Sequence, residues 1–139
     1  GSSIGEGNYT RPQGEIVWLE KYIGSTTIAG GPFSDTSATT INVEADTNGK
    51  IPKGAKALWL YAHANDSASS GSTCFIYTQA SDDTSAGVIC RPNGRTNDQV
   101  EQASGWQPCN SAGDIQYVVE ATGSNTLDSN LYYKGVELR

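Results

Sequence analysis

Residues 114–121 read DIQYVVEA, and within them Ile115, Tyr117 and Val119 alternate with Asp114, Gln116, Val118 and Glu120. Successive side chains of a β-strand point to opposite faces, so this period of two is typical of a strand with one face in water. On either side of this segment, the chain holds seven more short apolar or alternating segments, separated by clusters of Gly, Ser, Asn, Asp and Pro. The eight predicted strands are 15–22, 39–45, 55–64, 73–79, 87–91, 99–107, 114–121 and 130–138.

Eight closely spaced strands with turn-forming residues between them predict an all-β protein, an antiparallel β-sandwich of jelly-roll or related Greek-key type. The chain has 139 residues, of which 36% are hydrophobic, which is enough for one compact core but not for two. We therefore predict a single β-sandwich domain at residues 15–139. Residues 1–14 are rich in glycine and lack periodicity, and we interpret them as a linker or N-terminal arm.

The predicted strand at residues 55–64 is preceded by the sequence IPKG at residues 51–54. Pro52 fixes φ for a turn, and Gly54 supplies a positive φ that other residues rarely adopt. We therefore predict a turn that leads into the most apolar strand of the chain.

The composition argues against several classes of partner. The formal net charge is −6, and lysine and arginine form no cluster along the chain. The sequence therefore lacks the positive surface with which proteins bind phosphate backbones or anionic lipid, and we expect no nucleic-acid partner. The longest apolar runs, such as residues 57–64, are much shorter than the roughly 18 residues of a spanning helix, so we expect no membrane insertion.

Residues suited to catalysis or metal binding are few. His63 is the only histidine, so neither a histidine-rich metal site nor a Ser-His-Asp triad in a recognisable context is predicted. Asp82, Asp83, Asp98 and Asp128 lack the spacing of a calcium-binding loop, and we interpret them as solvated turn residues. We predict a protein that is not an enzyme and has no metal site and no cofactor. Hydrolysis of a sugar by two flanking carboxylates stays an alternative.

The three cysteines, Cys74, Cys90 and Cys109, are an odd number without CxxC spacing, which argues against a zinc site and against a dense disulfide scaffold. Either all three are free thiols or one bridge leaves one thiol. If a disulfide forms, we expect Cys90 to pair with Cys109, because a hairpin return brings them together. Cys74 lies beside Phe75 in an alternating strand and is predicted to be a buried free thiol.

Three tryptophans and seven tyrosines exceed what a small sandwich core buries with every polar tip satisfied, so some must lie at the surface. Aromatic rings beside Asn, Asp and Thr suit sugars, which stack C–H groups on rings and form hydrogen bonds through hydroxyls. Trp18 and Trp59 lie in apolar strands and are predicted to be core. For Trp106, the sequence is compatible with a position in the core and with one at the surface. Tyr132 and Tyr133 are adjacent in a strand, so at most one is predicted to be core.

The segment from Arg91 to Trp106 combines an aromatic residue with a dense run of planar polar side chains, and we predict a sugar-binding site there. The predicted site residues are Arg95, Asn97, Asp98, Gln102 and Trp106. Arg95 would bind an acidic or phosphorylated group, Asn97 and Asp98 would bind hydroxyls, and Trp106 would stack on a ring. In the competing interpretation, Trp106 closes one end of the sandwich and the preceding loop is a solvated turn.

Three segments carry a shared pattern: IPKGAKALWLYAHAND at 51–66, SGWQPCNSAGDIQYVVEATGSNT at 104–126, and LYYKGVEL at 131–138. A Pro-x-Gly turn leads into an apolar strand, a Trp-x-Pro stretch precedes an Ile-Gln-Tyr strand, and the last strand ends in a glycine and a hydrophobic residue. In this pattern, residues 51–139 resemble the receptor-binding β-sandwich domains at the C-terminal tips of bacteriophage tail fibres and spikes. The resemblance implies a virion protein, a homotrimer and binding to a bacterial surface glycan, and it assigns no binding residue.

The sequence therefore favours a non-catalytic, adhesin-like or lectin-like receptor-binding domain at the tip of a viral fibre or spike. We expect it to recognise a bacterial cell-surface carbohydrate and to reside in the virion, or otherwise outside the cell. Two alternatives stay open. One is a structural trimerisation or capping domain of a virion protein without a ligand, and the other is the carbohydrate-binding module of a carbohydrate-active enzyme.

Overall fold

The structure, a computed structural model, describes residues 15–139, so the predicted arm at residues 1–14 lies outside the described residues. The described part contains eight strands and one short helix. They are β1 (Ile16–Phe33), β2 (Thr36–Ile41), α1 (Val43–Asp46), β3 (Ala57–Asp66), β4 (Phe75–Gln79), β5 (Ile89–Cys90), β6 (Glu101–Pro108), β7 (Ile115–Glu120) and β8 (Leu127–Glu137). The prediction of an all-β sandwich of about eight strands is confirmed.

The strands form two four-stranded sheets with the orders β1-β8-β3-β6 and β2-β7-β4-β5, which we call sheet I and sheet II. All of their strand pairs are antiparallel. The first strand pairs with the last, β2 pairs with β7, β3 with β6, and β4 with β5. This pairing is that of one long hairpin, folded between β4 and β5 and then rolled into two layers, which is the jelly-roll topology.

The core lies between the two sheets and follows the alternation of the strands. In β7, Ile115, Tyr117 and Val119 are all buried, as the sequence pattern predicts. In β3, Leu58 and Leu60 are completely buried, while every second residue from Trp59 to Asn65 is only half-buried. Each central strand therefore presents one side-chain row to the core and the other to the outside of the sandwich.

All eight strands differ from their predicted bounds, and two segments differ the most. The segment predicted as a strand at 39–45 ends its strand at Ile41 and continues as helix α1, because the Asn42 side chain caps the helix by accepting a hydrogen bond from the Ala45 amide at 3.1 Å. The first strand does not end at residue 22 but continues to Phe33, with three register irregularities against β8. Most residues of β1 are exposed. The second half of the strand therefore lacks the alternation of apolar and polar residues by which strands are predicted.

The predicted turn before β3 is confirmed. Its backbone packs directly against the backbone of the segment before β7. Gly54 has φ +81°, and its amide donates to the Ala112 carbonyl at 3.1 Å. Gly113 faces it with φ +83°, and a Cβ there would lie 2.4 Å from the Gly54 nitrogen. Only glycine fits at this contact, which holds the start of β3 beside the start of β7.

A buried carboxylate joins β1, α1 and β8. Asp46 accepts hydrogen bonds from the Ser25 and Tyr133 hydroxyls, each at 2.7 Å, and from the amides and hydroxyls of Thr26 and Thr27 at 2.8 to 3.0 Å. Burial acts to raise the pKa of Asp46, but these hydrogen bonds together outweigh it and hold the pKa below its ordinary value. The charged form is therefore the one that the fold stabilises.

A second carboxylate, Asp66 at the end of β3, holds the adjoining loops. It accepts hydrogen bonds from the amides of Ala68 and Thr122, and from the hydroxyls of Thr122 and Thr126. Burial again acts to raise the pKa, and the hydrogen bonds again bring it below the ordinary value. The loop after β3 and the β7–β8 connection are thereby fixed to one side chain.

We predict that folding stability falls as the pH is lowered below about 4, because the unfolded carboxyls then bind protons that Asp46 and Asp66 in the folded protein do not. The substitution Asp46→Asn should lower the free energy of unfolding at pH 7 by about 2 to 4 kcal/mol, because an amide nitrogen cannot accept the hydroxyl protons. It should also weaken the acid dependence. Urea unfolding at pH 7 and pH 3 measures both effects. Asp82→Asn, in an exposed loop, is the control, and equal behaviour of the two variants would contradict the prediction.

Candidate functional site

The outer face of sheet I carries the largest group of partly exposed aromatic residues in the described part of the chain. In β3, Trp59, Tyr61 and His63 point outward, alternating with the buried row. The cross-strand register places the neighbours of each of these residues on β6, β8 and β1. Because directly opposed side chains are close enough to touch, the outward residues form rows across the sheet.

The tryptophan row crosses all four strands. Trp59 is opposite Trp106 on one side and Gly135 on the other, and Gly135 is opposite Trp18. The three indole rings lie 5.4 to 6.0 Å apart, between centroids. A Cβ at residue 135 would lie 2.6 Å from the Trp18 ring, so the glycine leaves room for that indole to lie across the sheet.

The prediction that Trp18 and Trp59 belong to the core is wrong. Trp18 is 58% exposed, and Trp59 is half-buried on the outer face, as is Trp106. The indoles cover one another across the strands rather than entering the space between the sheets, which Leu58 and Leu60 already fill.

The tyrosine row lies next to the tryptophan row. Tyr61 of β3 is opposite Tyr132 of β8, with ring centroids 5.8 Å apart, and Tyr22 meets Tyr132 edge to face at 5.0 Å. The ammonium of Lys134 lies 5.0 Å from the centre of the Tyr61 ring. Tyr133, by contrast, is fully buried, so the prediction that at most one of the adjacent tyrosines enters the core is confirmed.

The third row is polar. His63 is opposite Asn130 of β8 and Gln102 of β6, and its ring lies 5.8 Å from that of Tyr132. Among residues 15–139, none of these three side chains forms a hydrogen bond with another protein group. Within the described part of the chain, two amides and an imidazole therefore have polar groups that are not used by other protein groups and lie beside the aromatic rings. We call the three rows together the platform.

A depression of about 280 Å³ lies at the centre of the platform. Its lining consists of an ammonium, an imidazole and three phenols, from Lys134, His63, Tyr22, Tyr61 and Tyr132. This set can stack on apolar faces and can form hydrogen bonds with hydroxyl or anionic oxygens.

The structure divides the five residues of the predicted sugar site between two places. Gln102 and Trp106 lie on the platform, in the polar and tryptophan rows, about 13 Å apart along β6. Arg95, Asn97 and Asp98 lie in the loop before β6.

In that loop, these polar groups largely serve local structure. Arg95 forms an ion pair with Glu101, Asn97 accepts a hydrogen bond from the Ser70 amide at 3.0 Å, and the Asp98 amide donates to the Asp66 carbonyl at 2.9 Å. The loop contacts thus use the Asn97 oxygen and the Arg95 charge that the predicted site would need.

The platform residues that the prediction missed were visible in the sequence as Trp59, Tyr61 and His63 at every second position. What the sequence did not contain was the register that aligns them with Tyr132 and Trp18.

The expected pairing of Cys90 with Cys109 does not occur, and all three cysteines are buried free thiols. The Cys90 thiol lies 3.2 Å from the Glu101 carbonyl at the start of β6, whereas Cys109 follows the last residue of that strand. Eight residues of strand separate the two places by about 26 Å, far beyond the reach of a disulfide. The prediction that Cys74 is a buried free thiol is confirmed.

In residues 15–139, no group of three or more His, Cys, Asp or Glu side chains is arranged to hold a metal ion. No helix in this part of the chain has the length and apolar character needed to cross a membrane. Comparison with protein-family models finds no match, and a search of curated proteins finds none either.

We predict that the thiols are inert in the folded protein. Burial is the main cause that raises the pKa of Cys74 to about 11 and the pKa of Cys90 and Cys109 to about 12. At pH 8, iodoacetamide should label none of them within the time in which the urea-unfolded chain takes up three labels, as measured by mass spectrometry. Rapid labelling of the folded protein, or a disulfide in the non-reduced peptide map, would contradict this.

Proposed function

We propose that this protein is a non-catalytic, lectin-like receptor-binding domain that binds a bacterial cell-surface glycan on the platform of sheet I. The observation that carries the proposal is the side-by-side arrangement of a tryptophan row, a tyrosine row and a polar row on one rigid sheet. Aromatic faces stack on the C–H groups of sugars, and planar amides bind neighbouring hydroxyls.

The spacing of the rows suits a chain of several sugars. Adjacent rows are two residues apart along β3, about 7 Å, so the three rows offer successive contacts along an extended ligand. The side chains are held by cross-strand packing before any ligand arrives. Binding therefore orders few groups, which limits its entropic cost.

The chemistry of the central depression supports binding rather than hydrolysis. Glycosidases place two carboxyl groups on either side of the scissile bond. Here the lining groups are phenols, an imidazole and an ammonium.

The assignment to a viral fibre or spike tip rests on the sequence resemblance. Its segments contribute five platform residues on β3, β6 and β8: Trp59, Tyr61, His63, Trp106 and Tyr132. The part of the chain that carries the resemblance is thus also the part that builds the proposed site.

The alternative that the domain is a structural trimerisation unit is favoured by a separate observation. Ile16, Val17 and Trp18 are 48%, 40% and 58% exposed at the start of β1, which is an edge strand of sheet I. Exposed apolar residues on an edge strand are suited to contact another chain. A homotrimer is compatible with both functions. A measurement of glycan binding therefore distinguishes the two functions, whereas a measurement of oligomeric state does not.

We predict that Trp59→Ala and Trp106→Ala each weaken glycan binding at least tenfold on an array of bacterial surface polysaccharides, because each removes a stacking surface. Tyr77→Ala is the matched control, since it removes a half-buried aromatic ring from sheet II. Circular dichroism and thermal unfolding verify that all variants are folded. Unchanged binding by both tryptophan variants would refute the platform, and loss of binding in Asp98→Ala alone would place the site in the loop before β6.

We also predict that the domain forms a homotrimer at micromolar concentration, measured by sedimentation equilibrium. Ile16→Glu should shift the equilibrium toward monomer by placing a charge among the exposed apolar residues of β1. Ile89→Glu, at a 39% exposed position on an edge strand of sheet II, is the control. A wild-type protein that sediments strictly as a monomer would argue against the trimer.

A further inference from the structure

Lys134 occupies an irregular position in β8. Against β3, Gly135 is opposite Trp59 while Tyr133 is opposite the very next residue, Leu60, so Lys134 has no partner in the ladder. A β-bulge of this kind re-aims side chains. Here Lys134 is exposed and lies against the Tyr61 ring, on the same face as the platform.

Among the residues that the structure describes, Lys134 forms no ion pair with a carboxylate. Three other basic residues form ion pairs: Lys53 lies 4.0 Å from Glu44, Lys56 lies 3.7 Å from Glu137, and Arg95 pairs with Glu101. Within residues 15–139, Lys134 has no carboxylate within ion-pair distance, and none lines the central depression. In a chain with a net charge of −6, this is a local positive site at the centre of the platform.

The charged residues of β1 near Lys134 do not change the sign of the local charge. A second depression on the other side of Lys134 is bordered by Glu20 and Lys21, which carry opposite charges. Within residues 15–139, Lys134 therefore has no ion-pair partner where the two depressions meet.

Three phenols around one point also suit a cationic ligand, such as a quaternary ammonium group, through cation–π contacts. Binding of a cation is disfavoured by Lys134, because the ammonium of this lysine already lies on the Tyr61 ring. A cationic ligand would be repelled, and an anionic one would be attracted. Charged hydrogen bonds to anionic oxygens are stronger than neutral ones, and the surrounding phenol and imidazole groups supply further donors.

Building on the proposed function, we propose that the glycan is acidic and that its anionic substituent, a carboxylate or a phosphate, binds Lys134 in the central depression. Tyr22, Tyr132 and His63 surround the anionic oxygens there, while neighbouring sugar rings lie on the tryptophan row. The ligand class is thus an acidic polysaccharide of the bacterial surface.

The test uses an array on which each bacterial surface polysaccharide is printed in three forms: native, carboxyl-reduced, and dephosphorylated with hydrogen fluoride. We expect wild-type protein to bind acidic polysaccharides and to lose at least tenfold in affinity on one of the two treated forms. The form that loses binding identifies the substituent as carboxylate or phosphate. Equal binding to native and treated forms would overturn the inference while leaving the proposed function intact, and silence across the array would overturn both.

Substitutions at Lys134 provide the second measurement. Lys134→Gln should weaken binding to the best native polysaccharide at least tenfold, and Lys134→Glu should weaken it further, whereas Lys53→Gln makes the same charge change at a distant exposed position and should have no effect. Binding by the wild type should also weaken as salt rises from 50 to 500 mM, and this dependence should be reduced in Lys134→Gln. Unchanged binding in both Lys134 variants would contradict the inference.

Discussion

The antiparallel ladder between β3 and β8 is the constraint on which the core and the proposed site both depend. These strands lie at the centre of sheet I, and their pairing joins residues far apart in the sequence. Since side chains alternate between the faces, one register sends Leu60 and Tyr133 into the core and Tyr61 and Tyr132 onto the platform. A slip by one residue would exchange the two sets, so the hydrophobic core and the platform are fixed by the same hydrogen bonds.

Buried polar contacts specify that register. The Tyr133 hydroxyl donates to Asp46, which holds β8 with this residue inward and its neighbour Tyr132 outward. In β6, the buried Gln107 side chain accepts a hydrogen bond from the Thr78 hydroxyl at 2.7 Å, which places Trp106 on the outer face. Burial of such groups carries a desolvation cost, and they are stable only where each partner is in place. A purely apolar core would tolerate more than one alignment of the same strands, whereas these contacts tolerate one.

The sequence predicts the fold well and the site only in part, because strand alternation is a local property whereas the register between strands is not. Alternation in β7 is recognisable because Gln116 and Glu120 lie on one face and Ile115, Tyr117 and Val119 lie on the other, and turn residues mark most strand ends. In β3 both faces are apolar or aromatic, so the local pattern does not tell which row is inward, and the prediction that places Trp59 in the core is wrong. The prediction of a site in the loop before β6 rests on the density of its polar groups, and in the structure the Asn97 side chain accepts a hydrogen bond from the Ser70 amide of a neighbouring loop. The local sequence does not reveal which distant groups will form hydrogen bonds with these side chains. It also does not reveal the strand register that brings the platform residues together.

The bulge in β8 shows how a charge is added to such a surface without interrupting it. Along an ideal strand, every second residue faces outward, so a lysine on the platform would take the place of an aromatic residue or of the glycine beneath Trp18. Because Lys134 is unpaired, both Lys134 and Gly135 face outward, and Val136 returns to the core opposite Leu58. One extra residue therefore supplies the positive charge, and the glycine still lets the indole lie across the sheet. The tryptophan row and the central depression are thereby adjacent, as a ligand that combines sugar rings with an anionic group requires.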